Sequence, residues 1–305
     1  MNVFITGASG VIGQRVIPAL LARGHSVTAA GRPSARLAAL REPGVEVVAL
    51  DIFDSAAAER AMQGHDVAVN LATKVPSQNR MFLPGAWKEM THVRRDASRA
   101  LTHAATRAGV RRFVQESFAP LYADAGKQWI VESSRVEPAH YNRSVLDAEA
   151  SAHRFGQLGG TAVILRFALF YGPGDSFSET MVAAVKRGWM PVLGKRESYV
   201  SMVTHHDAAG AVVAALDVPA GTYNVVDDEP MTREALGAAL SDMLGVRAPR
   251  FLPSWMAKLG GSLGETIARS VRVSNRALKD ASGWRPEYPS MREGFRAVLD
   301  ARSER

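Results

Sequence analysis

Residues Thr6-Gly7-Ala8-Ser9-Gly10-Val11-Ile12-Gly13 place three glycines at three-residue intervals directly behind the apolar run Asn2-Val3-Phe4-Ile5. The run reads as a short buried strand and the stretch from Val11 to Leu21 as a helix, so the glycines occupy a strand-to-helix turn. At such a turn, backbone N–H groups at the positive end of the helix can face a pyrophosphate. The missing side chains of Gly7 and Gly10 permit the close approach, and Gly13 lets the helix lie against the strand. Binding is therefore expected from Gly7, Ser9, Gly10, Val11, Ile12 and Gly13. A glycine triplet alone is a weak signal, but a strand before it and a helix behind it are the context that the motif requires. The chemistry of this turn is dinucleotide binding.

The end of the second apolar run sorts the two nicotinamide dinucleotides. An acid there accepts hydrogen bonds from the ribose hydroxyls, whereas a 2′-phosphate needs positive charge. This chain has Gly31-Arg32, with Arg36 one helical turn further on, and no acid. Arg32 can offer a planar fork to a phosphate and stack on adenine; the alternative is a solvated arginine that starts a helix. NADP(H) is favoured over NAD(H).

A turn of this kind needs a parallel sheet to hold it. Apolar runs at Asn2–Ile5, His25–Ala30, Val45–Leu50, Asp66–Leu71, Arg112–Glu116 and Thr161–Phe167 are rich in Val, Ile and Leu, as strands buried on both faces must be. Amphipathic stretches at Val11–Arg23, Ala35–Arg41, Ser55–Gln63, Trp87–Ala108 and Tyr141–Leu158 separate them. The alternation predicts an α/β fold: a doubly wound parallel Rossmann sheet with a small C-terminal substrate-binding lobe. Residues 1–170 form the NAD(P)-binding domain in this reading. Residues 171–305 form a mixed segment that builds the lobe and returns elements to the main domain. Within it, Phe177–Arg187, Asp207–Leu216 and Thr232–Leu244 read as helices, the last with Thr232 as N-cap. Tyr199–Val203 and Thr222–Val226 read as strands. Pro249–Ser274, with Trp255 and Met256, reads as a cover over the cleft.

The 305 residues are 47% hydrophobic and 22% charged, with a formal net charge of +7 and no cysteine. The composition is that of a soluble globular protein, and a thiol nucleophile, a disulfide or a thiolate metal site is excluded. The positive excess is arginine scattered along the chain, without a basic run or an aromatic-interleaved strip, so neither nucleic acid nor a membrane is expected as a partner. The first strand at residue 2 leaves no room for a signal peptide, and a cytoplasmic location is the expectation.

Further residues carry a family pattern: Asp51, Asn70-Leu71-Ala72, Gly109-Val110-Arg111-Arg112-Phe113-Val114, Tyr141 with Ala148-Glu149, and Arg166 with Tyr171-Gly172-Pro173. Tyr223-Asn224-Val225 and Gly283-Trp284-Arg285-Pro286 continue it. Over nearly its whole length the chain resembles the epimerase/dehydratase branch of the extended short-chain dehydrogenase/reductase family. The resemblance implies Asp51 and Ile52 beside adenine, and Leu71, Ala72 and Thr73 along the ribose and nicotinamide, with Phe167 as a further cofactor contact. It also implies a homodimer through the helices before and after the fifth strand.

The family's proton relay is incomplete. It uses a tyrosine, a lysine four residues later, a serine or threonine, and an asparagine. Tyr141 is present, but Val145 stands at the lysine position, Phe118 at the serine position with Ser117 adjacent, and Arg94 at the asparagine position. A free tyrosine ionises near about 10, so without a neighbouring cation little phenolate exists at neutral pH. Arg94, Arg143 or Lys74 offers charge from another direction. The plain alternatives are an Arg94 paired with Asp96 or Glu89, an Arg143 on a solvated helix face, and a Lys74 in a surface loop. Tyr141 with Ser117 as its hydrogen-bonding partner is the expected catalytic pair. Glu116 is a general acid or base if it faces the cleft, a direction that strand alternation leaves open. His205-His206-Asp207 reads as a loop-to-helix junction capped by Asp207 and not as a metal site, and no metal is expected.

Sugar-nucleotide members of the family carry an arginine where Val200 stands here. Trp189, Met190, Trp255 and Met256, with Phe118, Phe167 and Phe170, offer an apolar pocket instead. The substrate reading is a small carbonyl or hydroxyl compound that is not a nucleotide, turned over by a reductase, dehydrogenase or epimerase with an atypical site. Two other readings compete with it: a catalytically silent NADP(H) sensor, and a non-redox isomerase or dehydratase with a structural cofactor.

Overall fold

Val3 and Ile5 point into one core and Phe4 into another, which is why the first run is apolar without alternation. In the computed structural model, which describes residues 1–77, 80–83 and 85–303, strands β1 (Asn2–Thr6), β2 (Ser26–Gly31), β3 (Val45–Ala49), β4 (Val67–Asn70) and β5 (Arg112–Phe118) come first. They alternate with helices α1 (Gly13–Ala22), α2 (Ala35–Ala38), α3 (Ser55–Met62), α4 (Lys88–His92) and α5 (Ser98–Arg107). Next come β6 (Trp129–Ile130), α6 (Val145–Gln157), β7 (Thr161–Phe167), β8 (Leu169–Tyr171), α7 (Ser176–Lys186), β9 (Trp189–Met190), β10 (Tyr199–Val200) and β11 (Met202–Thr204). The chain continues through α8 (His205–Ala214), β12 (Gly221–Val225), β13 (Met231–Thr232), α9 (Arg233–Leu244), β14 (Arg250–Phe251), α10 (Gly261–Ala268), β15 (Arg272–Val273), α11 (Arg276–Ser282) and α12 (Met291–Ser303).

Seven strands form one sheet in the order β12-β7-β5-β4-β1-β2-β3, and every neighbouring pair is parallel. One face packs on Val16, Ile17 and Leu20 of α1 and on Ala208, Val212 and Leu216 in and just behind α8. The other packs on Ala58 and Met62 of α3, Leu101 and Ala105 of α5, and Phe155 of α6. This is a doubly wound Rossmann sheet. From β1 the chain runs outward through β2 and β3 on one side and through β4 and β5 on the other, so the crevice between the carboxyl ends of β1 and β4 is the ligand site of such a sheet. A third core, from Met181, Val185, Met190, Leu236, Leu240 and Phe295, joins α7, β9, α9 and α12 beyond the end of the sheet. Short strand pairs tie this part together: β8 with β11, β9 with β14 and β6 with β15 run parallel, and β10 with β13 antiparallel.

Two expected helices are interrupted. The stretch 87–108 is α-helical only at its ends, because Val93–Ala97 form a π-helical segment between α4 and α5. Tyr141 lies on a 3-10 turn, His140–Asn142, ahead of α6. Tyr141 thus precedes α6, and the expected stretch Tyr141–Leu158 is not one continuous α-helix. Thr232 caps α9 by accepting from the Ala235 N–H, as expected. At α8 the cap is Thr204, which accepts from the N–H of Asp207; Asp207 itself accepts from the N–H groups of Glu287 and Tyr288.

Beneath the carboxyl ends, Arg166 of β7 grips Glu149 of α6 with two parallel hydrogen bonds of 2.8 Å. Its Nη1 donates to the Tyr122 hydroxyl, which donates in turn to Asn224 of β12. Both charges are buried, so removing one leaves the other uncompensated. Glu149→Ala is expected to lower unfolding free energy by about 3–5 kcal/mol in urea titrations, whereas Ser117→Ala, which removes one further hydrogen bond to Glu149, should cost about 1 kcal/mol.

Candidate active site

Gly7 follows β1 at φ +73°, and a Cβ on it would lie 2.5 Å from the carbonyl carbon of Leu71, beyond the end of β4. A Cβ on Gly13 would lie 2.5 Å from the carbonyl oxygens of Gly7 and Ala8. The chain's own packing therefore demands both of these glycines. Gly10 differs, since its Cβ would meet only the Gly7 oxygen, at 3.0 Å. Gly10 and Val11 are exposed and Ser9 and Ile12 half-buried at the start of α1, where no side chain caps the helix and no acid sits in the first turn. A helix start left without a side-chain cap, with an open glycine before it, fits the pyrophosphate of a dinucleotide.

The remaining expected cofactor residues spread along the same crevice. Arg32 follows β2 and is exposed, its guanidinium 3.9 Å from the Glu89 carboxylate, also exposed. Such a pair contributes little and leaves the cation free for a phosphate. Arg36 is exposed on α2 behind the Ser34 cap. Asp51 is exposed and accepts from the Phe53 N–H, while Ile52 packs partly into the core. Leu71 and Ala72 are half-buried beside Gly7, and Thr73 reaches the cavity described next. Phe167 is the exception. It is fully buried in the core against Phe170, and the cavity wall there comes from Ala168, Leu169 and Phe170.

Beyond the crevice lies a cavity of about 250 Å³. Tyr141, 7% exposed, lines it with its ring against Trp87 at 4.6 Å between centroids. Arg94 reaches it from the π-helical segment, 3% exposed, its Nη2 2.7 Å from Glu116 Oε1 and its guanidinium over the Phe118 ring. Arg94 Nε and Nη1 and Glu116 Oε2 are buried and have no hydrogen-bond partner among the described residues. A π-helical turn shifts the residues behind it around the helix axis, and it is a frequent feature of functional sites.

An NAD(P)H-binding family matches residues 7–171, more than half of the chain. A 3-diazoavenalumate denitrifying reductase from a Streptomyces species is 30% identical over 97% of this chain and 99% of its own length. A 3 beta-hydroxysteroid dehydrogenase/Delta 5-->4-isomerase from Mycobacterium tuberculosis is 27% identical over 82% of this chain and 71% of its own. The chain belongs to the extended short-chain dehydrogenase/reductase family. Its fold is shared by the human epimerase family protein SDR39U1, solved with NADPH, at a TM-score of 0.80 and 22% identity over 98% of this chain and 99% of that one. It is shared equally by a UDP-glucuronic acid 4-epimerase from Bacillus cereus, at a TM-score of 0.79 and 18% identity over 100% and 99% of the two chains.

Within this dehydrogenase/reductase frame, the position of the family lysine is closed to the site, because Val145 is fully buried in the sheet core. Ser117 is likewise removed. It is 0% exposed and donates to Glu149, so it is not the partner of Tyr141. Alternation along β5 is the reason: Glu116 and Phe118 face the cavity, and Ser117 between them faces α6. Thr266 of α10 shares the cavity with Tyr141, and its hydroxyl donates to the Ser262 carbonyl. Burial pushes the Tyr141 pKa up to about 12, against the pull of the Arg94 and Arg269 charges.

Arg94 pairs with Glu116 rather than with Asp96 or Glu89, while Arg143 and Lys74 are exposed. The two histidines part company. His205 is buried beside Phe170, and burial pulls its pKa down to about 4; His206 makes an exposed pair with Glu287. Of the expected pocket residues only Phe118 and Phe170 line the cavity. Met190 belongs to the third core, and Trp189 and Trp255 are exposed. The apolar wall comes instead from Trp87, Val192, Val200, Leu263, Ile267 and Val271. Sequence reasoning missed Thr266 and Arg233, which also lines the cavity. The one signal for Arg233 is a cation at the first position of a helix, where the macrodipole disfavours it.

Two outcomes follow. Gly7→Ala should unfold the turn and lower Tm, whereas Gly10→Ala should keep Tm and weaken dinucleotide binding, as read by thermal melts and by titration with NADPH. In the alkaline limb, the protonated Tyr141 favours the folded state below about pH 10, the value of the unfolded chain. That contribution is lost as pH climbs through about 12, so Tyr141→Phe should flatten the fall of stability over this interval in urea titrations.

Proposed function

We propose that the protein is an NADPH-dependent reductase of a small acceptor that is not a nucleotide, with Tyr141 as proton donor and Arg94 as the cation that serves it. The observation that carries this reading is a buried, neutral tyrosine beside a paired arginine, in a cavity that continues from the dinucleotide crevice. A tyrosine–lysine pair holds a phenolate ready to accept a proton, which suits either direction of hydride transfer. Tyr141, with its proton held by burial, suits the direction in which a proton is given.

Gly7, Gly10 and the start of α1 would hold the pyrophosphate, and Arg32 with Arg36 the 2′-phosphate. Ser9, Val11, Ile12, Asp51, Ile52, Leu71, Ala72 and Thr73 would line the rest of the crevice. The reduced nicotinamide supplies a hydride when bound. With a carbonyl acceptor, Tyr141 would pass its hydroxyl proton to the carbonyl oxygen as the carbon is reduced. Arg94 then steadies the tyrosinate until solvent reprotonates it. Val200, standing where an arginine would meet a diphosphate, and the apolar wall support an acceptor without a nucleotide. The Streptomyces relative is named for the denitrifying reduction of a diazo compound, so a diazo compound belongs beside carbonyls in the assay.

The test follows absorbance of the reduced nicotinamide with NADPH and a panel of carbonyl and diazo compounds. Turnover that disappears in Tyr141→Phe, with NADPH affinity unchanged, is the expected result. Tight NADPH binding without turnover on any compound would instead leave the sensor reading standing. Arg32→Ala should weaken NADPH far more than NADH, and equal weakening would refute the choice of NADP(H).

A further inference from the structure

Arg233 opens α9, yet its side chain is 1% exposed and turns inward to the cavity. Nη2 donates to the carbonyl oxygens of Ile267, at 2.6 Å, and Arg269, at 2.9 Å, as α10 ends. Nε and Nη1 have no partner among the described residues. No carboxylate of the described residues comes within ion-pairing distance, and the charge of Asp124 reaches Arg233 only from further away. Burial pulls its pKa down to about 10, which still leaves it charged at neutral pH.

Two physical penalties meet in this residue. A buried cation without a counter-charge is among the costliest groups that a protein can hold. A cation in the first turn of a helix also opposes the macrodipole. Two carbonyls offset part of this and leave two donor nitrogens unused. The other charged groups lining the cavity, Arg94 and Glu116, cancel each other as a pair. The cavity therefore holds one buried positive charge in excess, inside walls of Val200, Leu263, Ile267 and Val271.

We propose that Arg233 is the anion-recognition residue of the cavity, and that the substrate is a small monocarboxylate with an apolar body. Its carboxylate sits on Arg233 and its reducible group at Tyr141. One charge in excess calls for a monoanion, and an apolar enclosure disfavours the strongly hydrated dianion of a phosphate. The proposal rests on the reading of this cavity as the substrate site.

Calorimetric titration of the NADPH-loaded protein with 3-phenylpropanoate and with its methyl ester tests it without any need for turnover. The carboxylate should bind at least about tenfold more tightly than the ester. Arg233→Gln should abolish that preference and leave ester and NADPH binding in place. If Arg233→Gln does not fold, Val200→Glu sets a competing carboxylate on the same wall and should remove binding of the acid alone. Equal binding of acid and ester by the unaltered protein overturns the proposal. So does a preference that survives Arg233→Gln or Val200→Glu. Clear acid preference without hydride transfer to any acceptor would sink the reductase reading and leave the anion site standing.

Discussion

The buried pair of Arg166 and Glu149 is the node on which the site hangs. Glu149 belongs to α6, the helix that follows the turn carrying Tyr141, and Arg166 belongs to β7, so their bidentate contact sets that helix on the sheet. Ser117 of β5 donates to the same carboxylate, and the Tyr122 hydroxyl links the guanidinium to Asn224 of β12. The Tyr122 backbone oxygen then accepts from Arg269, which also holds the Glu137 carbonyl, and this ties the end of α10 to the sheet. Floor and roof of the cavity thus meet in one hydrogen-bonded cluster. In a low dielectric, the bonds of such a cluster strengthen one another, although the side-chain nitrogen of Asn224 is buried without a partner among the described residues.

The electrostatics of the cavity follow from a substitution and its compensation. With Val145 in the sheet core, no cation can approach Tyr141 from α6. The charges that do act on it are those of Arg269 and of Arg94, which the π-helical segment brings against Glu116 at the end of β5. Arg94 is neutralised by its partner, whereas a catalytic lysine would carry an open charge, so its pull on Tyr141 is partial and burial wins. The lobe contributes Thr266 and Arg233 to the cavity wall, both at the last turn of α10. The proposed proton donor and the proposed anion-recognition residue thereby share a single enclosure.

Much of the sheet was legible because strands buried on both faces leave uninterrupted apolar runs. The glycine turn was legible because steric demands at Gly7 and Gly13 admit no other residue. The break between α4 and α5 was not legible. Its residues have ordinary helix periodicity, and the pairing of the buried Arg94 with Glu116 of β5 is a long-range contact that leaves no local signal. The direction of Ser117 failed for a related reason, since strand parity cannot be assigned without knowing which residue of the pair faces the ligand. Trp189 and Trp255 looked like pocket residues by type, yet hydrophobicity does not say which side of a thin lobe a side chain occupies. Phe167, read as a cofactor contact, points into the core one residue short of the cleft.

The sequence by itself determined the parallel sheet and the NAD(P)-binding class, because each rests on local spacing. The tertiary structure alone decided which polar side chains meet in the cavity. Arg94, Glu116, Thr266 and Arg233 come from four separate elements, and their meeting depends on the packing of α10 and the turn before α5 against the sheet. Long-range juxtaposition leaves no periodic trace in a chain, and a buried guanidinium is written with the same letter as a solvated one.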